Sequence, residues 1–327
     1  MIERYLDDIG GFMDIFVIVQ QMLVLLCMMI LGIIACKVNW IDDYSYGKLS
    51  KIVVNILNPC LMISGIMGKD AKPDGTSIVQ NIILVFAYFA LLILVSKPIV
   101  KLLRVKKSAG NVYQLMLIFS NIGFMGIPVI TSIYGTGAMI YIVFYNIAYN
   151  TLLYSYAFYV ASDNGDTEGG KQSFSLKNFA NPGFIACFVT IFIYLTGWTF
   201  PNSVGSFFSY VGNSVVPFSM FLIGASFVQN GKKEFFTDIK IYLFMAIKML
   251  IIPIAAAIAL RYIPVVKDWN PTMLGVFILM LSMPVGSMIV MISKQCGADD
   301  VEATKGGIFT TLLSVVTIPI VGFFLPM

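Results

Sequence analysis

NVYQLMLIFSNIGFMGIPVITSIYG, residues 111–135, is apolar enough to lie in lipid, yet it holds Asn121, Gly123, Gly126 and Pro128 at its centre. As one helix it would rise about 37 Å, more than the hydrocarbon core of a bilayer, at about 30 Å. Proline lacks an N–H and clashes with the turn before it, so the helix is expected to break or kink there. A break at mid-membrane frees amides and carbonyls that lipid cannot satisfy. Something polar must meet them: another span, water, an ion or a substrate. A second stretch, MLGVFILMLSMPVGSMIVMISKQCG at 273–297, has the same character, with Pro284, Gly286 and Ser287 near its middle.

Composition agrees with a lipid solvent. Of 327 residues, 58% are hydrophobic and 12% charged, where a soluble chain carries about 25% charged. Working outward gives ten apolar stretches: about 12–36, 46–67, 78–100, 112–134, 138–161, 179–198, 204–228, 236–263, 273–292 and 304–324. Strict alternation in ten-residue segments, the mark of a β-barrel, is absent. The expected class is therefore an all-α polytopic membrane protein with ten transmembrane helices.

Charge sorts with that count. Alternate connectors carry fifteen of the 21 Lys and Arg, densest from Lys97 to Lys107, and the opposite connectors carry five: Arg4, Lys69, Lys72, Arg261 and Lys267. The positive-inside rule puts the first group in the cytoplasm and both termini outside. Trp40, Trp198 and Trp269 fall at predicted membrane edges, as an aromatic belt does. No cleavable signal is expected in MIERYLDDIG, and the net charge of +4 is topogenic rather than a sign of nucleic-acid binding.

Ten spans divide into two fives, which an odd number forces into opposite orientations, as in inverted-repeat transporters. Gly47, Asn55 and Pro59 recur as Gly205, Asn213 and Pro217 at one offset of 158. The expected division is 1–161, a cytoplasmic connector at 162–178, and 179–327. Breaks in corresponding halves point to a transport site.

The predicted interior is polar but almost uncharged. Its candidates include Asn55, Asn58, Asn121, Tyr145, Asn146, Asn150, Asn213, Ser282 and Ser287. Asn146 and Asn150, at i and i+4, either stitch helices or line the site. Pro59, Gly126, Pro217 and Gly286 mark the expected helix breaks. Amides at half-helix ends favour an anion, so a carboxylate suits this interior better than a cation. Sodium can be held by neutral oxygens, so sodium co-transport stays open. Lys248 lies about twelve residues into a long span; either the boundary is misplaced or its side chain snorkels, or it is an anion-attracting or structural pair in the bundle interior. No histidine and no deep carboxylate pair is present for catalysis, and no phosphate-binding loop for ATP. The five cysteines read as small hydrophobes, and no cofactor is expected.

SNIGFMGIPV at 120–129, LNPCLMISGI at 57–66, and MPVGS followed by QCGAD and TTLLSVVTIP, in that order, resemble the auxin efflux carrier family, in its small bacterial branch often labelled malate permease. The resemblance covers essentially the whole chain. It implies two inverted five-helix repeats with crossed broken helices, as in bile-acid/sodium symporter-like carriers. Helices 1, 2, 6 and 7 would form a scaffold, and 3–5 and 8–10 a transport domain. It also implies Asn121, Pro128, Pro284 and Ser287 at the crossover, a homodimer, and a bacterial plasma-membrane location. The function this predicts is secondary transport of a small organic anion, malate-like or another carboxylate. The alternative is a channel or a non-transporting receptor for small solutes.

Overall fold

The computed structural model describes residues 19–20, 23–67, 75–162, 182–198, 200–230 and 239–325. The connector at 162–178, except Ser162, lies outside them, as do the start of the first apolar stretch and the cations Arg4, Lys69 and Lys72. The described residues are helical, with one isolated β-bridge.

In chain order the helices are α1 (Leu23–Lys37), α2 (Asp43–Ile52), α3 (Asn58–Met67), α4 (Gly75–Leu103), α5 (Lys107–Ile118) and α6 (Ile127–Tyr134). They continue with α7 (Met139–Leu152), α8 (Phe158–Ser162), α9 (Pro182–Thr196), α10 (Asn202–Asn213) and α11 (Val215–Asn230). The last five are α12 (Ile239–Ala246), α13 (Ile252–Tyr262), α14 (Pro271–Ser282), α15 (Ser287–Gln295) and α16 (Asp300–Gly322).

Widened π turns join several of these at Val53–Leu57, Ile122–Gly126, Leu153–Ala157 and Ile247–Ile251. Three of the four sit just before a proline. The carbonyl that each ring would strike belongs to residue i−4: Asn55 for Pro59, Phe124 for Pro128, and Met249 for Pro253. All three lie inside the π turn, so the extra residue opens the ladder where the ring needs room.

These interruptions correct the count of ten spans. Among the described residues, four helices are long and apolar enough to cross a membrane: Gly75–Leu103, Asn202–Gln229, Ile239–Tyr262 and Asp300–Gly322. Four more are apolar but shorter: Leu23–Lys37, Ile122–Tyr134, Ile185–Thr196 and Pro271–Ser282. Apolar composition runs straight through Asn121 and Pro284, but the backbone ladder stops there. Length in residues therefore overstated length as helix. The two inverted five-helix repeats and the bile-acid/sodium symporter-like fold rested on that count and fall with it. The all-α multi-pass membrane class stands.

Exposed side chains on the long helices are apolar, such as Phe86 and Leu94 on α4, both more than 70% exposed. In water such a surface would be costly; in lipid it is the solvent contact. The helices approach closely where side chains are smallest. A Cβ at Gly32 of α1 would fall 2.0 Å from the Phe221 carbonyl oxygen of α11, and one at Gly224 of α11 would fall 1.9 Å from that of Met29. Only glycine permits this contact between backbones, the device membrane helices use in place of a hydrophobic driving force. The core gathers round α5, α7 and α14, and α14 is buried on nearly every side.

Candidate functional site

Two interruptions meet in the interior. α5 ends at Ile118, and the chain resumes as the π turn Ile122–Gly126 leading into α6. α14 ends at Ser282, and α15 begins at Ser287. Between them, Ser120 and Val285 form an antiparallel bridge. The Asn121 amide donates to the Pro284 carbonyl at 2.8 Å, and the Gly286 amide donates to the Phe119 carbonyl at 2.9 Å. Backbone groups that each break frees are thus satisfied by the other, which is what the lack of water requires.

Side chains complete the accounting. Asn121 Oδ1 accepts from the Phe124 amide at 3.2 Å, capping the π turn. The Val285 amide donates to Thr310 Oγ1 of α16 at 2.9 Å. Tyr88 of α4 donates to Ser120 Oγ at 3.1 Å and to the Met280 carbonyl at 3.3 Å. Gly286 has no room for a side chain: a Cβ would meet the Tyr149 hydroxyl at 2.9 Å and the carbonyl oxygens of Phe119 and Ser120 at 3.1 Å.

Lys248 brings an amine to the crossing. It lies in the π turn between α12 and α13 and is 1% exposed. Its Nζ donates to the Leu117 carbonyl and to Ser120 Oγ, each at 3.0 Å. The carbonyl end of α5 carries partial negative charge, which favours a cation there. Among the described residues no carboxylate pairs with Lys248, and no Asp or Glu is buried. The other buried lysine, Lys305, is paired with Glu302 at 3.3 Å. Lys248 therefore does not snorkel to a membrane edge but sits inside the bundle.

The sequence candidates divide on this geometry. Asn121, Pro284 and Gly286 form the crossing itself. Gly126 donates its amide to the Asn121 carbonyl at 2.8 Å, and Pro128 is buried in the first turn of α6. Ser287 opens α15 and is exposed. Asn58 flanks the π turn: its Nδ2 would lie 3.5 Å from a Cβ at Gly123. Asn58 Oδ1, the Tyr145 hydroxyl and Asn146 Nδ2 are buried without a protein partner, and Tyr145 packs edge-on against Tyr88. Asn150 turns back on its own helix, donating to the Asn146 carbonyl at 2.8 Å, so that bond stitches no helices together. Asn55 and Pro59 are half-buried in the other proline-bearing π segment, and Pro217 is exposed on α11. Ser120, Tyr88 and Thr310 were not singled out in the sequence. Ser120 could have been, since it adjoins Asn121 in the broken stretch; Thr310 opens the TTLLSVVTIP stretch but nothing local names its partner, and Tyr88 sits on a continuous helix with no pattern to mark it.

Comparison with known proteins agrees with this architecture. A family model described as "Membrane transport protein" matches residues 17–321. An uncharacterized transporter of Methanothermobacter thermautotrophicus is 22% identical over 312 residues, covering 92% of this chain and 96% of that protein. Neither match favours malate over other solutes. The match to the family model spans nearly the whole chain, and it makes this protein a transporter rather than an enzyme: the chain belongs to the membrane transport protein family.

Proposed function

We propose that this transporter is a secondary carrier that moves a small organic anion, a malate-like dicarboxylate or another carboxylate, by alternating access at the crossing. One observation carries the choice of an anion: the crossing holds a buried lysine that no carboxylate among the described residues neutralises. Two further features support it. α15 starts without a side-chain cap, and its first residue, Ser287, is exposed, so the positive end of its dipole is available to an anion there. Asn121 uses its Oδ1 on the π turn, which leaves Nδ2 as a donor for a ligand oxygen. In this reading Asn121, Ser287 and the α15 amides hold the carboxylate, and Lys248 draws it in. Pro128, Pro284, Gly126 and Gly286 keep the backbone open there. Asn146, with an unpartnered amide, extends the polar wall, while Asn55, Asn150, Pro59 and Pro217 serve the bending of their helices.

The test is uptake of radiolabelled malate, other dicarboxylates and aromatic acids into proteoliposomes. Wild-type protein is expected to take up at least one of these anions, and Asn121→Ala to reduce that uptake while still inserting. Uptake by Asn121→Ala equal to wild type would remove Asn121 from the site. Transport of cations or neutral solutes alone would overturn the anion assignment. Running each assay with and without a sodium gradient reads whether sodium travels with the substrate.

A further inference from the structure

One face of α4 carries two adjoining cavities of opposite character. The first, about 540 Å³, lies between α4 and α7 and is apolar, with Phe86, Ala90 and Ile93 on one wall and Ile147 and Leu152 on the other. Its one hydroxyl side chain, Thr151, donates back to its own helix at the Ile147 carbonyl. The second, about 490 Å³, lies between the ends of α4 and α5, where Lys97, Lys101, Arg104 and Lys106 line it together with Asn111 and Gln114. Among the described residues lining it there is no carboxylate.

The two cavities are in register. Residues 86, 90, 93, 97 and 101 follow one another at steps of three and four, so they share one side of α4, and Arg104 lies in the turn just after it. The opposite wall is continuous too. α7 passes into the π turn Leu153–Ala157, where Tyr156 accepts from Gln114, and on into α8, where the Val160 carbonyl accepts from Asn111 at 3.0 Å. From Ile82 to Ile93, the stretch of α4 that lines the apolar cavity, the helix rises about 16 Å, close to half of a hydrocarbon core of about 30 Å. The apolar cavity is thus one leaflet deep and ends at the basic one. The turn that closes the basic cavity is held in place: Arg104 has φ +48°, and Lys240 donates to its carbonyl at 2.7 Å.

We propose that this face of α4 binds an anionic membrane phospholipid, its phosphate headgroup among Lys97, Lys101, Arg104 and Lys106 and an acyl chain along Phe86–Ile93. A topogenic role explains the number of these cations but needs no cavity around them and no apolar groove beneath. A small free anion would fill the basic cavity and leave the groove unused. Charge complementarity and a groove of leaflet depth together select a lipid.

Native mass spectrometry of the full chain in detergent tests this. Dioleoyl phosphatidylglycerol is expected to bind at least tenfold more tightly than dioleoyl phosphatidylcholine. The double variant K97Q/K101Q is expected to lose that preference, and Ala90→Phe to weaken both lipids. Equal binding of the two lipids by wild type, or an unchanged preference in K97Q/K101Q, would overturn the proposal. Displacement of the phosphatidylglycerol by millimolar inorganic phosphate would also overturn it, by reducing the site to one for a free anion. A measurement on unaltered protein stands beside the variants. Phosphatidylglycerol with a photoreactive acyl chain should label peptides from 82–93 or 144–152; label confined to other segments excludes the groove.

Discussion

The interruption after α5 largely closes on itself, whereas the one after α14 borrows its partners from elsewhere. In the first, Asn121 caps the Phe124 amide with its side chain, and its own carbonyl accepts from Met125 and Gly126. In the second, the Pro284 carbonyl, the Val285 amide and the Gly286 amide bond to Asn121, Thr310 and Phe119 respectively. No side chain caps α15. One break is therefore a local motif written in a few consecutive residues, and the other is a tertiary one. In the proposed carrier, the tertiary break is also the one whose helix start meets the substrate.

The comparison can be broken or sharpened by substitution. The largest effect is expected at Lys248, which is fixed by the carbonyl end of the first break and by Ser120. Lys248→Met should lower initial substrate uptake about 100-fold, corresponding to about 3 kcal/mol, the scale of a hydrogen bond to a charged group. Uptake kinetics in proteoliposomes, with insertion checked separately, measure it; wild-type uptake would remove the cation from the mechanism. Next comes Gly286→Val, whose side chain would press on two backbone carbonyls as well as the Tyr149 hydroxyl. Overpacking of this kind costs about 1–3 kcal/mol, read as a lower thermal midpoint in detergent.

Thr310→Val should follow, because it leaves the buried Val285 amide without its acceptor, at about 1–2 kcal/mol. Asn121→Ala is expected to cost least in stability, about 1 kcal/mol for a lost cap, since the Asn121 backbone still holds both Pro284 and Gly126. A larger loss of stability for Asn121→Ala than for Thr310→Val would reverse the assignment of local and tertiary breaks.

The local break was the legible one. Asn121, Gly126 and Pro128 announce it within eight residues, and proline chemistry requires nothing distant. Pro284 and Gly286 likewise marked where the second break lies. Its partners could not be read, because Thr310 is 25 residues away and Tyr88 is 192 residues from Met280. Lys248 was conspicuous as a charge in an apolar run, but its bonds to Leu117 and Ser120 span more than 125 residues. The lipid-facing all-α class followed from composition, which reports the solvent. The number of continuous spans did not follow, because hydropathy records what a residue prefers to touch and is blind to whether its amide has a carbonyl to reach. The basic cavity stayed hidden for a related reason. Charge along the chain gives the sign of a surface but not its concavity.

The lysine anchored at the crossing also has an electrical consequence. With Lys248 protonated, a bound monocarboxylate brings the local sum to zero, and a dicarboxylate brings it to one negative charge. The membrane field acts with about 2.3 kcal/mol per charge per 100 mV. If Lys248 moves with the loaded site, voltage should leave monocarboxylate transfer nearly untouched while accelerating or opposing dicarboxylate transfer according to its sign. Currents across a planar bilayer, compared between the two substrates, would show whether this charge travels or stays still.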